Sequence, residues 1–274
     1  MLKDQGILIT GGAGSIGSEL VRQLSINNSV WAIDNNESAL FDLVEELKLE
    51  GREITPILGD IRDKDVLDDP RRACPSYIFH AAALKHVSPA ETNPIEYIKT
   101  NVLGSYNVFT FAKKIGARVI NISTDKVVNR TSMMGATKKV AELMAKNLGF
   151  INVRFGNVLG SRGSVIPIWQ KQINQGKELT ITDVKMERFM MSIEEAVSLV
   201  IKAAEIGEPG NLLILDMGEP VNILDFAKEI IAKSGREIPI KVIGSRPGEV
   251  LTETLMTGEE KERAIKQGNF WIIR

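Results

Sequence analysis

The sequence predicts an α/β protein built on a doubly wound parallel sheet, with a smaller lobe assembled from C-terminal pieces. Three observations carry this expectation. Short apolar runs alternate with amphipathic helical segments from the N-terminus to about Phe155. A glycine-rich turn joins the first run to the first helical segment. Beyond Phe155 the rhythm gives way to stretches rich in Gly, Ser, Arg and Lys, followed by shorter elements with Gly and Pro punctuation.

In chain order, residues 7–10 form an apolar strand. Residues 15–25 then space Ile16, Leu20, Val21 and Leu24 at helical intervals. Residues 30–33 read as a second strand and 39–49 as a second amphipathic helix. Strands are predicted at 55–58 and 77–80, a helix at 101–114, a strand at 119–123, a helix at 135–148 and a strand at 152–155. Residues 156–187 are loop-like, and 194–204 restore a helix. The expected division is a dinucleotide-binding domain over 1–156 plus about 190–215. The remainder, about 157–189 plus 216–274, forms the substrate lobe.

Composition narrows the function. The 274 residues carry a net charge of -1, so no electrostatic reason exists to expect nucleic acid or an anionic membrane as partner. A single cysteine, Cys74, excludes an internal disulfide and a cysteine-built metal cluster, and two histidines make a multi-histidine site improbable. No apolar run reaches the roughly 20 residues of a membrane span, and the strand at residue 7 starts too early for a signal peptide. A soluble, cytoplasmic protein is expected, with no metal.

The segment ILITGGAGSIGSEL sets Gly11, Gly14 and Gly17 between the first strand and first helix. Glycine there lets backbone approach a pyrophosphate, and the N–H groups of Ser15 and Ile16 open the helix N-terminus. Asp34 closes the second strand, placed for the adenosine ribose hydroxyls, although strand ends often carry Asp as a turn residue. Its carboxylate repels a 2′-phosphate and no arginine follows in DNNES, so NAD is favoured over NADP. Together these read as a Rossmann site. Asp60, with Ile61 beside it, follows the third strand and reaches either the adenine edge or a helix N-cap role. Ala81 and Ala82 follow the fourth strand, where bulk would collide with a cofactor.

The strand at 119–123 leads into STDKVVNRTSMMGATKK. Short-chain dehydrogenases place a Ser or Thr here, then a Tyr and a Lys four residues later. Thr124 fits the hydroxyl and Lys138 the lysine, while Met134 stands at the tyrosine position, where a thioether exchanges no proton. STDK with MGATK resembles the UDP-N-acetylglucosamine 4,6-dehydratases of the CapD-like polysaccharide-biosynthesis group, within the extended short-chain dehydrogenase/reductase family. AAALKHVSPAETNPIEYIKTNVLGSYNV, NVRFGNVLGSRGSVIPIWQKQI, ERFMMSIEEAV, ILDMGEPVNILDFAK and SRPGEVLTETL are similar to that group, in the same order. Arg130 replaces a usual proline. The best-known relatives with methionine carry an N-terminal membrane domain, which this sequence is expected to lack.

The resemblance implies an internal redox cycle on a UDP-sugar. NAD takes a hydride from carbon 4, the ketone acidifies carbon 5, water leaves across carbons 5 and 6, and the hydride returns to carbon 6. By analogy Asp125 is the acid and Lys126 the base, kept neutral by desolvation, Lys138 and the nicotinamide charge. Lys138 would bond the nicotinamide ribose and favour a sugar alkoxide, Thr124 hold the sugar hydroxyl or a water, and Met134 pack against sugar or nicotinamide. The proton of the carbon-4 hydroxyl goes either to Asp125 or to a water held by Thr124 and Lys138. Lys85 is expected against the substrate, His86 there or as a structural histidine, and Asn101 as a brace for the site backbone. Asn157, Arg162, Arg188 and Arg246 would bind the nucleotide diphosphate, with Arg246 and Arg188 foremost. Glu249 would take a sugar hydroxyl or hold Arg246. A homo-oligomer through helices near 101–114 and 136–148 is expected. A UDP-sugar epimerase is the rival reading, and a non-catalytic NAD or sugar-nucleotide sensor ranks lower.

Overall fold

The computed structural model describes residues 2–68, 75–129 and 131–274, so Cys74 and Arg130 lie outside the described residues. The chain starts β1 (Gly6–Thr10), α1 (Ser15–Leu24), β2 (Ser29–Asp34), α2 (Glu37–Leu49) and β3 (Thr55–Leu58). It continues through β4 (Tyr77–His80), α3 (Val87–Thr92), α4 (Pro94–Tyr97), a π-helical turn at Ile98–Gly104, and α5 (Ser105–Ile115). Next come β5 (Arg118–Ile122), α6 (Lys126–Asn129), α7 (Met133–Asn147) and β6 (Ile151–Arg154).

Seven parallel strands form the body of one sheet, in the order β3, β2, β1, β4, β5, β6, β11, the last being Leu212–Leu215. The chain reverses direction across the sheet between β1 and β4, which opens a crevice at the strands' C-terminal ends. The apolar runs of the sequence become this sheet because both faces are covered. Ile7, Ile9 and Phe79 are fully buried on one core and Ile78, Val108 and Phe109 on the other. The first helix turns Leu20, Val21 and Leu24 inward as its spacing predicts. Side-chain caps fix the starts of α2 at Asn36 and α7 at Ser132.

The second half carries β7 (Asn157–Val158), α8 (Val165–Asn174), β8 (Leu179–Ile181), β9 (Glu187–Arg188), β10 (Met190–Met191) and α9 (Ile193–Ile206). After β11 follow β12 (Val221–Asn222), α10 (Ile223–Ser234), β13 (Ile240–Val242), α11 (Gly258–Arg263), β14 (Ile265–Gln267) and β15 (Phe270–Ile273). A small separate core of Trp169, Leu179, Ile181, Met186 and Ile223 binds α8 and α10 around the β8–β13 pair.

Two expectations are corrected. Residues 265–273 do not join the substrate lobe: β15 pairs antiparallel with β11 and carries β14, extending the central sheet. The reason is apolar, since Phe270, Ile272 and Ile273 bury where a polar hairpin would not. The helix expected from residue 101 begins instead as the π turn. There Asn101, 1% exposed, accepts the Leu84 N–H (2.8 Å) and donates to the Leu84 carbonyl (3.0 Å) and Thr137 Oγ1 (3.1 Å). A widened turn that aims one buried amide at a neighbouring loop is a recurrent use of π geometry. Asn101 thus braces the loop after β4, as expected, and Tyr97 donates to the His86 carbonyl at 2.6 Å to hold its far end.

Candidate active site

A cavity of about 710 Å³ lies along the C-terminal ends of β1, β4, β5 and β6 and continues under α8 and the 246–249 turn. Gly11, Gly14, Ser15, Ile16, Gly17 and Ala81 line one end. Thr124, Lys126, Met134 and Lys138 line the middle, and Lys85, His86, Asn157, Arg162, Arg188, Arg246 and Glu249 the remainder. Residues from six sequence segments are thus gathered on one surface.

The glycine turn meets the requirements of a dinucleotide cradle. Gly11 has φ +68°, and a Cβ there would lie 2.7 Å from the Ala82 backbone, which is why position 11 carries no side chain. A Cβ on Gly17 would lie 1.9 Å from the Gly11 carbonyl oxygen, so α1 can start this close to β1 only with glycine. The free N–H groups of α1 then face the cavity. Asp34 is braced by accepting the N–H groups of Ala13 (3.0 Å) and Asn36 (2.9 Å), leaving outer lone pairs at the β2 end for vicinal hydroxyls. These residues fit a nicotinamide dinucleotide. Ser15 Oγ also accepts the Arg162 N–H (3.0 Å), tying the turn to the substrate side.

Three cofactor-side expectations change. Asp60 is not a lining residue: its carboxylate takes Arg62 (2.6 Å), the Arg62 N–H (2.9 Å) and Asn35 (3.2 Å), and these hydrogen bonds outweigh burial to hold it below the usual carboxylate range. Its local role is a turn brace rather than a contact already aimed at the cavity. Ile61 faces inward, 4% exposed, against Gly104. Ala82 supports Gly11 from behind, and Ala81 alone of the pair lines the cavity.

Lys138 is buried, with its ammonium donating to the Ile122 carbonyl. Burial pushes it down to about 8, against the opposing pull of Glu142. Met134, 2% exposed, packs with Ala90 and Tyr97 and presents an edge to the cavity. Gly135 follows it because a Cβ there would lie 2.3 Å from the Lys126 carbonyl oxygen; α7 therefore packs directly on the reactive turn. Lys85 is lowered by burial and by the charge of Lys126, and His86 by burial and Lys85.

The reactive turn itself differs from expectation in two ways. Asp125 does not line the cavity; it is 2% exposed and reaches it through Thr124 Oγ1, which donates to Oδ1 at 2.9 Å, and through Lys126 Nζ at 3.0 Å. Lys126 is not held neutral. Burial lowers it, but Asp125 and, when ionised, a residue overlooked in the sequence, Glu253, outweigh burial and raise it above the ordinary lysine value. Its Nζ lies 2.9 Å from Glu253 Oε1 and donates to Asn157 Oδ1 at 3.1 Å. Asn157 therefore orients the lysine, a role its FGNV context did not suggest.

Arg188, expected as a phosphate fork, is instead a clasp. It donates to the carbonyls of Glu187 (2.7 Å), Leu251 (2.9 Å) and Val250 (2.9 Å), and its Nε lies 3.5 Å from Glu253. Arg162 and Arg246 are exposed along the cavity wall, and Glu249 accepts the Arg246 N–H at 3.0 Å. The N-terminus of α8 also opens into the cavity at Ser164, whose buried hydroxyl has no partner among the described residues. Beneath the turn, Arg154 is fully buried and bridges Glu142 (2.7 Å) and Glu260 (2.7 Å), and it donates to the Leu255 carbonyl at 2.9 Å. Ser123 donates to the same Glu142 at 2.7 Å.

A doubly wound sheet, a glycine cradle at its reversal point and a Thr–Asp–Lys turn facing that cradle define an extended short-chain dehydrogenase/reductase fold. More particularly, the chain belongs to the polysaccharide biosynthesis protein family, whose model matches residues 7–274. It is 41% identical to the capsular polysaccharide biosynthesis protein CapD of Staphylococcus aureus, over 94% of this chain and 46% of that one, so it spans about half of that relative. It is 36% identical to a UDP-glucose 4-epimerase of Rickettsia bellii, over 100% of this chain and 84% of the relative. The X-ray structure of Pen from Bacillus thuringiensis superposes with a TM-score of 0.93 at 36% identity, covering 99% of this chain and 88% of that one.

Proposed function

We propose that this protein is an NAD-dependent enzyme that removes water from a UDP-sugar, with UDP-N-acetylglucosamine as the substrate, giving a 4-keto-6-deoxy sugar nucleotide for surface polysaccharide or glycan synthesis. The observation that carries the reading is Lys126 in the cavity wall, hydrogen-bonded to Asp125 and facing the glycine cradle. An acid and a base side by side suit an elimination and have no evident task in a 4-epimerase.

When bound, NAD supplies the hydride acceptor for carbon 4 and the donor for carbon 6. Asp34 at the ribose edge favours NAD over NADP. Lys138, charged below about 8, stabilises an alkoxide on carbon 4. The Thr124 hydroxyl, hydrogen-bonded to Asp125, relays protons between the sugar and the buried carboxyl. Lys126 takes the carbon-5 proton, and Asp125 protonates the departing hydroxyl through Thr124. Arg162, Arg246 and the α8 N-terminus bind the diphosphate, because charge-assisted donors and helix N–H groups suit phosphate oxygens. Lys85 and His86 face the sugar. The lobe of α8, α10 and β13 closes over the nucleotide. Leu103, Tyr106, Val140 and Leu143, all exposed on the Ile98–Gly104 turn, α5 and α7, supply the apolar face for a homo-oligomer.

Incubation of the purified protein with UDP-N-acetylglucosamine, read by mass spectrometry, tests the proposal. Loss of one water mass supports it. The relatives called UDP-glucose 4-epimerase favour a second reading, in which an isomer of unchanged mass forms.

A further inference from the structure

We propose that Glu253 is the third member of the acid–base group: its carboxyl shares one proton with Asp125 and so decides whether Lys126 can act as a base. The inference rests on the dehydratase reading and deepens it.

Glu253 is 6% exposed and both its oxygens reach Lys126 Nζ, at 2.9 and 3.1 Å. Its segment is fixed on both sides. Arg188 grips the carbonyls of Val250 and Leu251, and Arg154 grips that of Leu255. Asp125 Oδ2 is buried beside Gly156, Phe189 and Met217, with no donor aimed at it among the described residues, and the Asp125 and Glu253 carboxyls both lie on Lys126 Nζ and interact with each other. Two buried carboxyls that interact across one ammonium do not readily both ionise. One proton therefore lies between them. Burial and the Asp125 charge raise Glu253 to about 7 against the pull of Lys126, while Asp125 is lowered, so below about 7 the proton rests on Glu253.

The resting group is then a Lys126 ammonium, an Asp125 carboxylate and a Glu253 acid. Transfer of one Nζ proton to Asp125 Oδ1, across 3.0 Å, breaks an N–H bond and forms an O–H bond. It leaves a neutral amine beside two neutral acids. The amine takes the carbon-5 proton, and Asp125 gives its proton through Thr124 to the departing hydroxyl, which leaves as water. Lysine is again ammonium and Asp125 again carboxylate. When the hydride returns to carbon 6, the ammonium gives a proton to carbon 5 and regains one from solvent, which balances the proton lost from the carbon-4 hydroxyl. The cycle thus closes with Glu253 protonated throughout. An ionised Glu253 would add a second anion on Lys126 and hold it as ammonium. Among the described residues the charged groups facing Glu253 are Lys126 and Asp125 from the reactive turn and Arg188 from β9; Lys85 and Lys138 add positive charge around Lys126 and the cavity.

Activity should therefore fall as pH rises through the titration of Glu253, whereas a lone lysine base would gain activity. The test is kcat against pH for the NAD-loaded full chain and its Glu253→Gln variant, on UDP-N-acetylglucosamine. The native enzyme should lose activity from about 7 upward, and the variant only from about 8, where Lys138 titrates. The same alkaline limb in both overturns the inference. If the variant does not fold, infrared spectra of native protein with carbon-13-labelled glutamate decide it: a protonated carboxyl band that vanishes near 7 supports the shared proton, and ionised glutamate throughout overturns it. A native enzyme that releases no water at any pH overturns the dehydratase reading instead, and the infrared titration then decides the shared proton by itself.

Discussion

The two ends of the cavity are built from different materials. At the glycine cradle the working groups are backbone N–H groups and missing side chains, contributed by one strand–turn–helix unit. At the reactive turn they are charged and polar side chains brought from three distant places, residues 125–126, 157 and 253. The first end is fixed by shape, the second by the balance of burial against mutual charge. The cradle should therefore be sensitive to a single added methyl and indifferent to pH. The reactive turn should tolerate changes in shape better than changes in charge.

Removing the central charge should have the largest effect. Lys126→Ala should reduce water loss by about 10²–10⁴-fold, the usual contribution of a positioned base, while NAD stays bound, measured by turnover and by cofactor retained through gel filtration. Loss of NAD in that variant would break the separation between the two ends.

Next in size is the clamp beneath the turn. Burial opposes ionisation of Glu260, but hydrogen bonds from Arg154 and its charge outweigh burial and push the carboxyl down to about 2. A depressed carboxyl contributes stability that is present above its unfolded value and lost as pH falls through its folded one. Glu260→Gln should thus cost about 3 kcal/mol in denaturant unfolding at pH 7. The cost should shrink below about 4.5 and vanish near 2. An equal cost at all pH values would show that shape, not charge, holds this region.

Gly17→Ala tests the opposite end. The added Cβ would stand 1.9 Å from the Gly11 carbonyl oxygen, so NAD affinity should fall about a hundredfold, as for a lost set of backbone hydrogen bonds, at every pH by the same factor. Calorimetric titration with NAD checks it. The smallest effect belongs to Asp34→Ala: about tenfold weaker NAD binding and a narrowed preference over NADP.

The same contrast explains what could be read from the amino-acid order. Strands 7–10, 30–33 and 77–80 and the glycine turn were legible because each is encoded within a few neighbouring residues. Thr124, Lys126, Met134 and Lys138 were likewise visible in one segment, and all four line the cavity. Glu253 was not, because it meets Lys126 across 127 positions and no local spacing marks it. Glu249, singled out from the same SRPGEVLTETL run to take a sugar hydroxyl or hold Arg246, accepts the Arg246 N–H. Arg188 read as a phosphate ligand because an arginine shows its chemistry but not its acceptors. The burial of Asp125 behind Thr124, and the edge pairing of 265–273, depend on packing between elements far apart in the chain.

The most direct measurement is turnover of UDP-N-acetylglucosamine by the NAD-loaded protein in deuterium oxide, with the product's mass and deuterium position determined. A base and an acid acting at carbons 5 and 6 predict a product lighter by one water and carrying one solvent deuterium on carbon 5. An isomer of unchanged composition, with no deuterium bound to carbon, would contradict it.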